Sequence, residues 1–99
     1  MLNINSEKKG DQLDVFLEGR LDSDTSPDFE KEVISSIDDV TSMNVDMSGL
    51  EYISSAGLRV LLGVKKAMGK NGGIILHNVG EEVKKTLDIT GFLDIMDVR

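Results

Sequence analysis

Two short strand-like runs with a helical pattern between them constrain the fold of this chain more than any other feature. Met43, Val45 and Met47 alternate at the period of a strand, and residues 74–76 form a continuous apolar run that suits a strand buried on both faces. Across residues 57–68 the apolar positions cover one broad side of a helix. A strand, a helix and a second strand of these lengths form a βαβ unit, so the sequence predicts an α/β domain.

A β-hairpin is predicted ahead of this unit. Residues 2–7 and 11–19 alternate apolar and polar side chains, and Gly10-Asp11 is a turn signal between them. The third strand is expected to close at residues 46–49, where the Asp46 carboxylate organises a turn. We therefore expect a mixed sheet of four to five strands, with about three to four helices packed mainly on one face.

Capping residues suggest where two of these helices begin. Ser26 followed by Pro27 fits an N-cap and the first helical position, so the first helix is expected over residues 27–38. The central helix is expected to begin at residue 55 or 56. Ser55 is well placed as its N-cap, with its hydroxyl accepting from a free backbone amide.

Glycines suggest where the helices end. Gly69 and residues 71–73 are expected to terminate the central helix. A third helix is predicted over residues 81–90, with Gly91 as its C-cap. Residues 95–98 are expected to add a terminal strand.

Composition narrows the classes of function. The 99 residues suit one domain over 1–99, and no stretch resembles a membrane span or a signal peptide. The absence of cysteine is consistent with the cytoplasm, where we expect the protein to act. One histidine and no cysteine are too little for a metal site. The net charge of −7 repels nucleic acid and anionic membranes, and three phenylalanines and one tyrosine are too few for base stacking. We expect no metal, no cofactor, no nucleic acid and no membrane insertion.

Ser54 and Ser55 stand where the central helix begins. A helix N-terminus offers free backbone amides and partial positive charge, which would accommodate a phosphate. By spacing alone, however, serines at this place are more often caps than phosphorylation sites. Gly57 in the first turn lowers helix stability, which indicates either close approach of a partner or nucleotide, or tight packing against a strand.

The run Val45-Asp-Met-Ser-Gly-Leu-Glu-Tyr-Ile-Ser-Ser-Ala-Gly-Leu-Arg-Val-Leu-Leu62 resembles the signature of STAS-domain proteins of the anti-sigma factor antagonist type. Residues 19–26, 73–79 and 87–92 also resemble segments of that family, so the similarity covers nearly the whole chain in order. The resemblance implies a STAS-like α/β fold and a regulator rather than an enzyme.

The resemblance also implies a site. In such proteins the serine two before the glycine, here Ser55, accepts phosphate from an anti-sigma factor that is also a serine kinase, and a metal-dependent serine phosphatase removes it. The unphosphorylated form binds the kinase and frees a sigma factor. Ser54 stands where the family often has aspartate and is the second candidate for phosphorylation. The residues expected to contact the partner are Asp22, Ser23, Ser54, Ala56, Gly57 and Leu58.

Alternatives remain open at the level of the sequence. Some STAS domains are non-switching interaction subunits, for example of a lipid-transport ATPase. A hydrolase built on Ser55 would need His77 as its base, yet no nucleophile-elbow motif surrounds either serine. Asp22 is either a partner contact, as the resemblance implies, or a loop carboxylate that accepts hydrogen bonds from its own backbone.

Overall fold

One sheet organises the residues that the structure, a computed structural model, describes, which are 1–69 and 73–99. Its strands stand side by side in chain order. They are β1 (Leu2–Lys9), β2 (Gln12–Leu21), β3 (Ser42–Ile53), β4 (Gly73–His77) and β5 (Asp97–Val98). β1 pairs antiparallel with β2, and all later neighbours pair in parallel. The predicted hairpin and the predicted mixed sheet are confirmed.

Three helices and one short 3-10 turn connect the strands of the described part of the chain. They are α1 (Ser26–Ile34), α2 (Ser55–Met68), α3 (Glu81–Ile89) and the turn Phe92–Asp94. The predicted extent of the first helix was wrong at both ends, because its N-cap position is Thr25 and it stops four residues early. The hydroxyls of Ser35 and Ser36 both donate to the Glu32 carbonyl, an alternative to helical hydrogen bonding that ends α1.

Strand β3 is longer than the sequence indicated. The Asp46 carboxylate accepts the Ser48 amide at 2.9 Å, as predicted, but the chain there forms a bulge instead of a closing turn. The pairing with β2 shifts register twice, and β3 continues to Ile53. Because of this extension, Ser54 lies beside the end of β2.

Gly69 ends α2 as predicted, whereas the C-cap of α3 differs from its prediction. Gly69, at a positive φ of 76°, closes α2, while residues 70–72 lie outside the described residues and Gly73 already begins β4. The C-cap of α3 is Thr90, and Gly91 follows it at a φ of 80°, so the predicted cap was one residue late.

The core lies between the sheet and the helices, on one face of the sheet. Its largest fully buried side chains are Phe29, Leu13, Leu21, Met43, Met47, Ile53, Leu61, Leu76, Leu87, Val15, Val33 and Val45. The expectation that β4 is buried on both faces was wrong, because Ile75 points to the opposite, open face and is only half-buried. Within the described ranges, no helix has the length and apolarity needed to cross a membrane.

Candidate functional site

The carboxyl ends of β2 and β3 meet at one edge of the sheet. Leu21 is in register with Ile53, and the Ser54 amide donates to the Leu21 carbonyl at 2.9 Å. This pairing places the loop that follows β2 beside the start of α2. We refer to residues 20–25 and 52–57 as the site edge.

Ser54, and not Ser55, is the N-cap of α2. Its backbone is extended, with a ψ of 174°, and its hydroxyl accepts the Gly57 amide at 3.4 Å. Ser55 is the first residue of the helix and is exposed, and its hydroxyl bonds to none of the described residues. The predicted start of the helix is confirmed and the predicted N-cap is wrong. The cap engages the hydroxyl of Ser54 and leaves that of Ser55 available for chemistry.

The N-terminus of α2 has no negatively charged side chain in its first turn. Its first turn contains no acidic residue, whereas α1 has Asp28 and α3 has Glu81 and Glu82 at the corresponding places. The partial positive charge of a helix N-terminus favours an anion there. An anionic group on Ser55 would therefore meet no carboxylate from its own first turn.

Gly57 is required by packing. A Cβ built on it would lie 2.7 Å from Leu21 Cγ and 3.0 Å from Ile53 Cγ1. Tight packing against the strands therefore explains this glycine, and a ligand approaching the backbone is not needed. Leu58 is also buried, at 4% exposure, so its side chain belongs to the core. Ser23 is exposed and Ala56 is half-buried, and both remain accessible to a partner.

Asp22 organises the loop after β2. Its Oδ1 accepts the amides of Asp24 at 3.0 Å and Thr25 at 3.1 Å. Desolvation raises the pKa of this carboxyl, but the hydrogen bonds donated by Thr25 and Asp24 outweigh that effect, so the pKa lies below its ordinary value. These contacts favour the backbone-organising role. Partner contact remains a prediction and concerns the second oxygen, Oδ2.

Two residues of the site edge were missed in the sequence. The Arg20 guanidinium lies 4.4 Å from the centre of the Tyr52 ring, and its Nε is 3.8 Å from Asp22 Oδ2. Both side chains are substantially exposed, at 51% for Arg20 and 40% for Tyr52. The sequence separates them by 32 positions, and only the register shift in β3 brings them level.

A shallow groove runs beside the site edge between α1 and α2. Its volume is about 230 Å³. It is lined by Ser23, Ser26, Pro27, Glu30, Ala56, Arg59 and Val60. Two of the predicted partner residues, Ser23 and Ala56, therefore share one surface.

His77 and Asp46 lie away from this edge. They are in register with each other on β4 and β3, and the His77 Nε2 is 2.9 Å from Asn44 Oδ1. Ser54 follows Asp46 by eight positions, a path of roughly 20–25 Å at strand rise with two bulges. The structure therefore does not bring His77 to Ser55 as a base.

The chain belongs to the STAS domain family, because the family model matches residues 3–99. A relative from Staphylococcus epidermidis, an anti-sigma-B factor antagonist, is 30% identical, and the match covers 98% of this chain and 92% of that protein. The predicted family resemblance is confirmed.

Solved structures share the fold. A crystal structure of an anti-sigma factor antagonist from Mycobacterium paratuberculosis has a TM-score of 0.89 at 21% identity, covering 99% of this chain and 85% of that one. The Bacillus cell fate determinant SpoIIAA in its phosphorylated form has a TM-score of 0.75 at 20% identity, covering 98% and 91%.

Proposed function

We propose that this chain is a cytoplasmic anti-sigma factor antagonist, formed by one STAS domain over residues 1–99, whose partner binding is switched by phosphorylation of Ser55. The observation that carries the proposal is that the two adjacent serines have different structural roles. Ser54 caps α2, while Ser55 presents an exposed hydroxyl at a helix N-terminus without an acidic first turn. A kinase can reach Ser55 without dismantling the cap.

The relatives support the same role. The staphylococcal protein that aligns with nearly the whole chain is named for antagonism of an anti-sigma factor. SpoIIAA, which shares the fold, has been determined in a phosphorylated form. We infer from these that the partner here is an anti-sigma factor with serine kinase activity, and that a metal-dependent serine phosphatase restores the unmodified form.

The switch acts on the partner and leaves the domain folded. A phosphate adds about −1.5 to −2 charges at neutral pH. At the start of α2 this charge is favourable within the domain, by about 0.3–2 kcal/mol. Buried in a docking surface, the same hydrated group costs desolvation energy. Phosphorylation should therefore release the partner while the fold survives.

The contact surface we propose is smaller than the sequence suggested. Ser54 and Ala56 flank Ser55 in the chain, and Ser23 lines the same groove as Ala56. Asp22 contributes its Oδ2, which lies 3.8 Å from Arg20 Nε. Gly57 and Leu58 would act indirectly, because their burial fixes the position of α2 against β2.

Phosphate mapping tests the assignment. Purified wild type, Ser54→Ala and Ser55→Ala are each incubated with labelled ATP and the anti-sigma kinase encoded nearest to this gene, and the phosphate is located by tandem mass spectrometry. Wild type and Ser54→Ala should each carry one phosphate on residue 55, and Ser55→Ala should carry none. Phosphate on Ser54, or on Ser55→Ala, would contradict the proposal.

A further inference from the structure

The face of the sheet opposite the helices is open, although four of its strands run parallel. Parallel strands are usually covered on both faces. Phe16 stands in the middle of this open face and is 45% exposed. Shallow hollows lie on both sides of its ring, one bordered by Glu18 and Asn5 and the other by Asp14 and His77, with Asp46 bordering both.

Three carboxylates surround Phe16. Asp14 and Glu18 precede and follow it by two positions on the same face of β2, and Asp46 is its register partner on β3. Neighbours two positions apart on one face, or directly across a strand pair, lie within reach of one another and of a shared ligand. The ring is thus the centre of an acidic surface, which we call the Phe16 face (residues 14, 16, 18 and 46).

Neutral groups orient these carboxylates. Asp14 Oδ1 accepts the amides of Gln12 at 2.9 Å and Asn44 at 3.2 Å. In the same way Glu18 Oε1 accepts from Asn3 at 3.2 Å, and Asp46 Oδ2 accepts from Asn78 at 3.1 Å. These side-chain amides are neutral, so they hold the carboxylates in place without cancelling their negative charge.

Cations near the Phe16 face are paired elsewhere. Lys9 lies 3.9 Å from Glu7, Arg20 lies 3.8 Å from Asp22, and Arg99 lies 3.2 Å from Asp97. Among the described residues, none of the three carboxylates around Phe16 has a cation within 4.0 Å. Lys9 acts on Asp14 through space, but none of the three carboxylates forms a salt bridge within the described chain.

We infer that the Phe16 face is a second docking surface, which takes an arginine side chain from a basic segment of a partner protein. A guanidinium is planar, stacks on an aromatic ring and donates to carboxylates at its edges. Lysine supplies the charge without the flat stacking surface. A second copy of this chain does not fit, because stacking two such faces would oppose carboxylates of like charge.

The surface is independent of the phosphorylation proposed at Ser55. Ser55 begins α2 on the covered face, whereas Phe16 projects from the open face. A basic segment can therefore be held whether or not Ser55 is modified, and the two proposals can fail separately.

Two matched peptides test this inference. ¹⁵N-labelled protein is titrated with capped hexaarginine and with capped hexalysine, and the amide shifts are followed by NMR. Hexaarginine should bind about 2–5-fold more tightly, the ratio that corresponds to an exposed cation–π contact. The saturating shifts should fall on residues 14–18 and 44–48. Equal affinities, or shifts centred on another surface, would overturn the inference.

Variants separate stacking from charge. Phe16→Leu keeps an apolar side chain without a π face, so the preference for arginine should vanish, while Phe16→Tyr should retain it. Glu18→Gln should lower the affinity for both peptides by the same factor. Ile95→Ala removes a side chain of similar exposure, 47%, outside the face and should change neither affinity. A preference for arginine that survives in Phe16→Leu, or self-association of the wild type lost in that variant, would contradict the inference.

Discussion

Gly57 and Leu21 are in such close contact that there is no room between them for one methyl group. A Cβ on Gly57 would lie 2.7 Å from Leu21 Cγ, and Leu21 is fully buried at the end of β2. This contact fixes the height of the first turn of α2 above the sheet. The position of Ser55, two residues earlier, depends on it.

Gly57→Ala should therefore destabilise the protein by about 1–3 kcal/mol, because the core must shift to admit the methyl group. Gly63→Ala is the matched control on the same helix. A Cβ added at Gly63 would meet nothing within 4 Å, so this variant should be more stable by about 0.5–1 kcal/mol through helix propensity. Urea unfolding measures both. Similar values for the two variants would show that α2 does not sit on Leu21 as described.

The two serines should differ in their contribution to stability. Ser54→Ala removes the cap of α2 and should cost about 0.5–1 kcal/mol, the lower part of the usual range because the hydrogen bond to Gly57 is long, at 3.4 Å. Ser55→Ala should change the free energy of unfolding by less than about 0.5 kcal/mol. Thermal unfolding of the two variants compares them. If Ser55→Ala lost more stability than Ser54→Ala, Ser55 would be the N-cap of α2.

Asp22→Ala should lower the melting temperature, because the amides of Asp24 and Thr25 lose their acceptor. This differs from the expectation for a residue used only for partner contact. Asp22→Asn should lower the melting temperature less, since its side-chain oxygen can still accept hydrogen bonds from these backbone amides. Asp24→Ala, a change at an exposed residue of the same loop, is the control and should leave the melting temperature unchanged. An unchanged melting temperature in Asp22→Ala would make this carboxylate a partner contact alone.

Asp46 should contribute to acid sensitivity. The hydrogen bond from the Ser48 amide, helped by one from Asn78, holds the pKa of Asp46 below its ordinary value of 3.8. A lowered pKa stabilises the fold above that value, and the contribution is lost as the pH falls through the folded-state pKa. Asn78→Ala should therefore lose less stability than wild type between about pH 5 and pH 2. The free energy of unfolding is measured for both proteins at several pH values. If it falls by the same amount in wild type and in Asn78→Ala across this range, Asn78 makes no contribution.

Local patterns predicted the elements better than their limits. Alternation identified the hairpin and β3, and helical spacing identified α2, since periodicity is a property of each segment by itself. The end of β3 could not be read in this way. The residues at 46–49 have the composition of a turn, and only pairing with β2 makes them a bulge within a longer strand.

For the site as well, local sequence patterns predicted the elements, but the details depend on tertiary contacts. The sequence indicated that α2 starts at the two serines, but both can cap a helix, and the choice depends on the extended backbone of Ser54. Arg20 and Tyr52 meet only through register. The Phe16 face left a weaker signal, a phenylalanine between Asp14 and Glu18 on the polar side of an alternating strand.

Binding of the proposed anti-sigma kinase to protein carrying phosphoserine at position 55 is the most direct test of the proposed switch. Phosphoserine is incorporated during synthesis, and titration calorimetry compares this form with the unmodified protein and with Ser55→Ala. Unmodified protein and Ser55→Ala should bind alike, and the phosphorylated form should not bind, although its melting temperature stays close to that of wild type. Equal binding by the phosphorylated and unmodified forms would contradict the switch.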